Sequence, residues 1–130
     1  MEFTLKTIID ANPEEIYSTW LDSEGHAKMT GGAASITDQP GASFTAWDGY
    51  IEGRNLELEP NKRILQSWRT SDFDSADEDS RLEILLKEVD GKTELTLIHS
   101  DLSDHGEQYR TGWDNHYFQP MKEYFSQTKG

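Results

Sequence analysis

Three turn dipeptides, Asp48-Gly49, Pro60-Asn61 and Asp90-Gly91, cut the middle of the chain into short segments whose apolar residues alternate. Asp-Gly supplies the positive-φ positions of a tight hairpin turn, and Pro-Asn turns the chain by presetting φ, so consecutive segments should pair as antiparallel neighbours. The segments read "GASFTAW", "YIEGRNLELE", "KRILQSWRT", "RLEILLKEV" and "TELTLIHS". In the last two, Leu82, Ile84 and Leu86 share one face, as do Leu95, Leu97 and His99. That period of two is the mark of a sheet with one side turned to a core. A further strand opens the chain, where Phe3, Leu5 and Ile9 alternate.

Helical periods bracket this sheet. In "NPEEIYSTWL", Asn12 is placed to cap a helix, Pro13 tolerates the first helical position and Glu15 stands where a capping box needs it. The spacing predicts a helix from about Pro13 to Leu21 that buries Ile16, Tyr17 and Trp20. Gly25 is expected to interrupt it, leaving "HAKMTGG" as a second short helix that ends at Gly31 and Gly32. At the far end Trp113, Tyr117, Met121 and Tyr124 recur at helical spacing, with Phe118 and Phe125 beside them. Pro120 cannot donate to the carbonyl of His116, so this helix should kink or open there. Gly112 is attributed to close approach to the sheet or to a loose helix start. With 130 residues, no repeat and no linker, the order of elements predicts one α+β domain with a single core.

Composition narrows the partners. Twelve basic against 25 acidic residues give a formal net charge of −13, which repels phosphate backbones and anionic lipid surfaces, so neither nucleic acid nor membrane is expected as a partner. The absence of cysteine removes disulfides, thiolate metal sites and a cysteine nucleophile, and it fits a reducing, cytoplasmic location. Asp72, Asp74, Asp77, Glu78 and Asp79 gather in "DFDSADEDS" without a lysine or arginine in the stretch, which reads as an exposed loop.

Little in the sequence asks for catalysis. His99, Asp101, Asp104 and His105 are acceptable metal ligands, but their spacing matches no zinc pattern and a hydrophilic turn explains them. His99 should point inward beside Leu95 and Leu97, where it could shuttle a proton or simply be a hydrogen-bonded core group. No nucleophile elbow or phosphate-cradling glycine loop is present. The expectation is a non-enzymatic protein without metal or cofactor.

Residues 41 to 69 and 112 to 125 resemble a known family. The G-x-x-F strand ending at Phe44, the D-G-x-I-x-G hairpin from Asp48 to Gly53 and the L-x-P turn from Leu58 to Pro60 are similar to those of the C-terminal domain of activators of the 90-kDa heat-shock chaperone ATPase. Trp68-Arg69, and Gly112-Trp113 with Tyr117-Phe118, fit the same pattern. That family belongs to the START-like, or SRPBCC, superfamily. The resemblance implies one START-like domain over residues 1–130 with the helix-grip fold: a strongly curved antiparallel sheet of about six to seven strands around a long C-terminal helix, with two short helices after the first strand.

It also implies a place for a ligand. Trp113, Tyr117, Met121 and Tyr124 would form one wall of a cavity, and Phe44, Trp68, Leu82, Ile84, Leu95 and Leu97 the others, with His99 or Arg69 meeting a polar head. A small apolar or amphipathic molecule suits such walls. The alternative is that the same side chains fill the space themselves. A protein-interaction module modulating a heat-shock chaperone is the second functional reading, and a cavity enzyme of cyclase or hydrolase type the third. Trp47, expected on the strand face opposite Phe44, and Tyr50 could dock another protein or a second copy, so a monomer or weak homodimer is expected.

Overall fold

The structure, a computed structural model, describes residues 1–103 and 106–127. Its strands are β1 (Phe3–Ile9), β2 (Ser43–Ala46), β3 (Ile51–Glu59), β4 (Arg63–Thr70), β5 (Ser80–Val89) and β6 (Lys92–Ser100). They form one antiparallel sheet in the order β1-β6-β5-β4-β3-β2. The first strand thus closes one edge by pairing with the last, Leu5 standing opposite Leu97. This is the α+β, helix-grip arrangement expected from the sequence. Among the described residues, no helix is long and apolar enough to cross a membrane.

Helix α1 (Pro13–Trp20) begins as its sequence requires: Asn12 Oδ1 accepts from the Glu15 amide at 2.8 Å and Asn12 Nδ2 donates to Glu15 Oε1 at 3.2 Å, a reciprocal cap. Helix α2 (Ser23–Thr30) starts earlier than predicted, because Asp22 caps it by accepting from the Gly25 amide at 2.8 Å. Gly25 therefore sits inside the first turn of α2 and does not interrupt α1. The break falls one turn earlier, at Leu21 and Asp22.

The turns behave as their residues dictate. Asp90 and Gly91 adopt φ of 52° and 81°, the two left-handed positions of a tight hairpin. At the β2–β3 junction the left-handed run is longer, with φ of 50° at Trp47, 59° at Asp48 and 89° at Gly49. Gly53 in β3 has another cause: an added Cβ would lie 1.9 Å from the Ser67 carbonyl oxygen and 2.7 Å from the Phe44 ring. Only glycine lets the three strands β2, β3 and β4 crowd together there.

The terminal helix is divided. Helix α3 (Glu107–Trp113) passes into a π-helical turn over Asp114–Phe118 and then into α4 (Gln119–Gln127). Within the wide turn the Gln119 amide donates to the Asp114 carbonyl, five residues back. This opening lies directly before Pro120, whose missing amide leaves the ordinary ladder incomplete at His116.

Below α4 the space is solid. Ile84, Leu95, Leu97 and Met121 are each 0% exposed, and Leu82 and Phe125 nearly so. Each such side chain contributes about 1.5–3 kcal/mol by leaving water. Below α3 the space is not filled, and the candidate site lies there.

Candidate ligand-binding cavity

A cavity of about 400 Å³ opens between the N-terminal half of the terminal helix and the β2–β3 end of the sheet. Trp47, Tyr50 and Ile51 form its outer side, Trp68 of β4 its floor, and Tyr109, Trp113 and Tyr117 the wall supplied by the helix, with Gln108, Gly112 and His116 completing it. The volume lies in the lower part of the range of small-ligand pockets, about 300–1,000 Å³, and the lining is chiefly aromatic, as such pockets are.

Each wall has a local origin. Tyr109, Trp113 and Tyr117 follow one another at four-residue steps and so stack along one face of the helix, with Trp113 and Tyr117 centroids 4.7 Å apart. Trp68 meets Tyr109 edge to face at 5.0 Å and Trp113 at 5.5 Å. Trp47 reaches the cavity because its left-handed φ takes it out of the strand. Its ring lies against Gly32, where a Cβ would approach it to 2.6 Å, and meets His116 at 5.4 Å. Left-handed backbone at a bulky residue is strained, and such strain concentrates at functional sites.

Gly112 keeps the cavity open. A Cβ there would have only the His116 ring within reach, at 4.0 Å, so of the two explanations offered by the sequence, close approach to the sheet does not hold. Its missing side chain is part of the hollow.

Behind the walls two neutral histidines hold the helix. The Trp113 indole N–H donates to His99 Nδ1 at 3.0 Å, while the Ser80 hydroxyl, which donates to the Trp68 carbonyl at 2.7 Å, lies 2.8 Å from His99 Nε2. Since the one hydroxyl proton is committed, His99 must carry its proton on Nε2 and donate it to Ser80. One turn along, the Tyr117 hydroxyl donates to His26 Nε2 at 2.7 Å, and His26 Nδ1 donates to the Trp20 carbonyl at 2.8 Å. Burial lowers His99 to about 3 and His26 to about 4, the latter partly opposed by the Trp20 carbonyl. Burial also raises the Tyr117 hydroxyl. All four ring nitrogens are engaged, so neither imidazole is free to exchange a proton with a ligand.

The outer rim is polar. The Tyr50 hydroxyl donates to Asp72 Oδ2 at 2.5 Å. Tyr109 and Thr70 share a hydroxyl–hydroxyl bond of 2.6 Å, and the Asp72 amide donates to Thr70 Oγ1 at 3.2 Å.

Of the residues read from the sequence as a binding site, Trp68, Trp113 and Tyr117 line this cavity. His99 stands one layer behind, holding Trp113. Phe44, Leu82, Ile84, Leu95, Leu97 and Met121 belong to the packed core. Tyr124 borders a separate hollow between α2 and α4, with Lys28 and Pro120. Arg69 organises the acidic loop instead: it donates to Asp79 Oδ1 at 2.8 Å and to the carbonyls of Asp77 and Asp74 at 3.1 and 3.2 Å. Asp101 faces Arg81 at 3.9 Å, while Asp104 and His105 lie outside the described residues. Among the described residues no three ligand-type side chains group as a metal site would need.

Tyr109, Gly112 and Trp47 are among the lining residues that sequence reasoning missed, with Tyr50, Ile51, Gln108 and His116. Tyr109 was reachable, being one step of four before Trp113. Trp47 was not, because strict alternation puts it on the strand face opposite Phe44, whereas the backbone has already left the strand.

Residues 10–126 match the family described as Activator of Hsp90 ATPase homolog 1-like protein. The human protein named Activator of 90 kDa heat shock protein ATPase homolog 1 is 31% identical over 127 residues, covering 95% of this chain and 37% of the human one. The chain thus spans little more than a third of that relative. Among solved structures, an HSP90 activator from Plasmodium falciparum superposes with a TM-score of 0.85 at 20% identity over 94% of both chains. The Aha1 dimer from Colwellia psychrerythraea gives a TM-score of 0.83 at 19% identity, over 100% of this chain and 99% of that one. At these identities the two structures share a fold with this chain.

Proposed function

This chain belongs to the family of Activator of Hsp90 ATPase homolog 1-like proteins, and from that premise we propose that it binds a small apolar or amphipathic molecule in the aromatic cavity without transforming it. The cavity itself carries the reading: about 400 Å³ lies beside a solid core, although closely packed interiors leave few voids larger than a water molecule. The sites of the two buried histidines argue for binding over catalysis, because each imidazole is held neutral by partners on both nitrogens. A cytoplasmic carrier or sensor suits an acidic chain with no cysteine.

Native mass spectrometry after incubation in cell extract, compared with the mass under denaturing conditions, tests this. Excess mass that vanishes on denaturation and is reduced in Tyr117→Ala supports binding. No excess mass at any extract concentration removes the proposal.

The second reading, modulation of a heat-shock chaperone, is favoured by the names of the relatives. The chain spans 37% of the human relative, so the test is made on this chain itself. An assay of ATP hydrolysis by a 90-kDa heat-shock chaperone, with and without the purified chain, decides it. The Colwellia relative is a dimer, and weak self-association of this chain is proposed alongside, to be read from sedimentation across concentrations.

A further inference from the structure

The cavity has a charge preference as well as a shape. Six of its lining residues, Trp47, Tyr50, Trp68, Tyr109, Trp113 and Tyr117, are aromatic, and no lysine or arginine is among the described lining. The rings are not stacked in parallel, with 83° between Trp68 and Tyr109 and 40° between Trp68 and Trp113. Each face carries negative quadrupole potential. At the rim, Asp72 is fixed by the Tyr50 hydroxyl at 2.5 Å, and the loop that follows adds Asp74, Asp77, Glu78 and Asp79. Arg69, which reaches that loop, is committed to Asp79 and to backbone carbonyls. Behind all of this stands the net charge of −13.

We infer that the cavity selects amphipathic cations, an alkylated or quaternary ammonium group carried on an apolar or aromatic body. A lining of aromatic rings attracts such a cation through the ring faces turned to it, which is the physics of aromatic cages. An anion entering the same space meets ring faces, the Asp72 carboxylate and the field of the whole chain, all of one sign. A neutral molecule of equal shape gains the apolar contact alone. The inference rests on the cavity's being a ligand site, as proposed above, and adds the chemical class of its occupant.

Three probes of matched shape separate the two ideas: benzyltrimethylammonium, its neutral carbon isostere neopentylbenzene, and benzylsulfonate. Binding is followed by tryptophan fluorescence at about pH 8, where an ordinary imidazole is neutral, and checked by native mass spectrometry. The expected result is that the cation binds about tenfold more tightly than the neutral isostere and the anion more weakly than either. Asp72→Asn should remove part of the cation's advantage, roughly threefold, and leave the neutral probe unchanged. Equal binding of cation and neutral isostere, or preference for the anion, overturns the charge selection while leaving the cavity a binding site. Failure of all three up to low millimolar concentration overturns both.

Discussion

Trp113 donates its indole N–H to Nδ1 of His99 at 3.0 Å, and this single bond decides the protonation of an imidazole buried between helix and sheet. With Ser80 on the other nitrogen, His99 joins β6 to the terminal helix as a neutral acceptor. A proton on Nδ1 would set two donors against each other.

We predict that Trp113→Phe destabilises the fold by about 1–3 kcal/mol, since it strands a buried acceptor while keeping most of the ring's packing. Urea unfolding of the variant and the parent measures it. A midpoint unchanged by the substitution would show that the bond contributes nothing.

The two histidines set a pH dependence. Both have folded values, about 3 for His99 and about 4 for His26, below the ordinary 6.5. The unfolded chain therefore takes up protons that the folded chain refuses, and stability must fall as the pH drops from about 6.5 toward those lower values. Above 6.5 the contribution is complete. Each histidine adds up to about 1.4 kcal/mol per pH unit in that window. Urea midpoints measured between about pH 6.5 and 5, where most carboxylates have yet to titrate, should slope less steeply in His26→Gln and in His99→Gln than in the parent. Parallel slopes in all three proteins would refute the assignment.

Filling the cavity should separate binding from folding. Gly112→Leu places a side chain where no strand or neighbouring wall stands close, and it removes a helix-interior glycine, a change worth up to about 1 kcal/mol of stability. The variant is predicted to fold at least as well as the parent and to lose excess mass in the native spectrum. Retained ligand in a well-folded variant would move the binding site elsewhere.

Arg69→Ala should loosen the acidic loop without unfolding the domain. Its guanidinium holds Asp74, Asp77 and Asp79, and the side chain of Asp79 is 47% exposed, so the global cost should stay within about 1 kcal/mol. Hydrogen exchange over residues 72 to 79 is the readout. Exchange as slow as in the parent would mean that the loop is ordered by its own turns, such as the Asp74 amide on Asp77 Oδ2.

The sheet was legible because hairpin turns and alternation are local: Asp90-Gly91 and the Leu82, Ile84, Leu86 row say what they will do without reference to anything distant. The capping of α1 by Asn12 was legible for the same reason. The start of α2 was misjudged because Asp22, an equally good cap, outweighs the glycine three residues later. For the cavity, the helix wall at Trp113 and Tyr117 followed from spacing. Which part of the helix covers a hollow and which a solid core did not, because volume is a sum over residues from every element. Trp47 and Arg69 show the other limit. One is redirected by a left-handed turn and the other is drawn to the Asp79 carboxylate and to two backbone carbonyls of the acidic loop, none of them in its own strand.

The wide turn at Asp114–Phe118 gives the terminal helix two phases. Each extra residue in a helical turn advances the faces beyond it by about 100°, so Tyr109 and Trp113 on one side of it are indexed independently of Met121 and Phe125 on the other. Deleting one residue from that turn would bring both halves into a common phase, swinging the hollow's wall away from Trp68 while the core half stayed in place. The divided terminal helix thereby carries two separately indexed surfaces, and the contents of the hollow can be revised without rewriting what packs on the core.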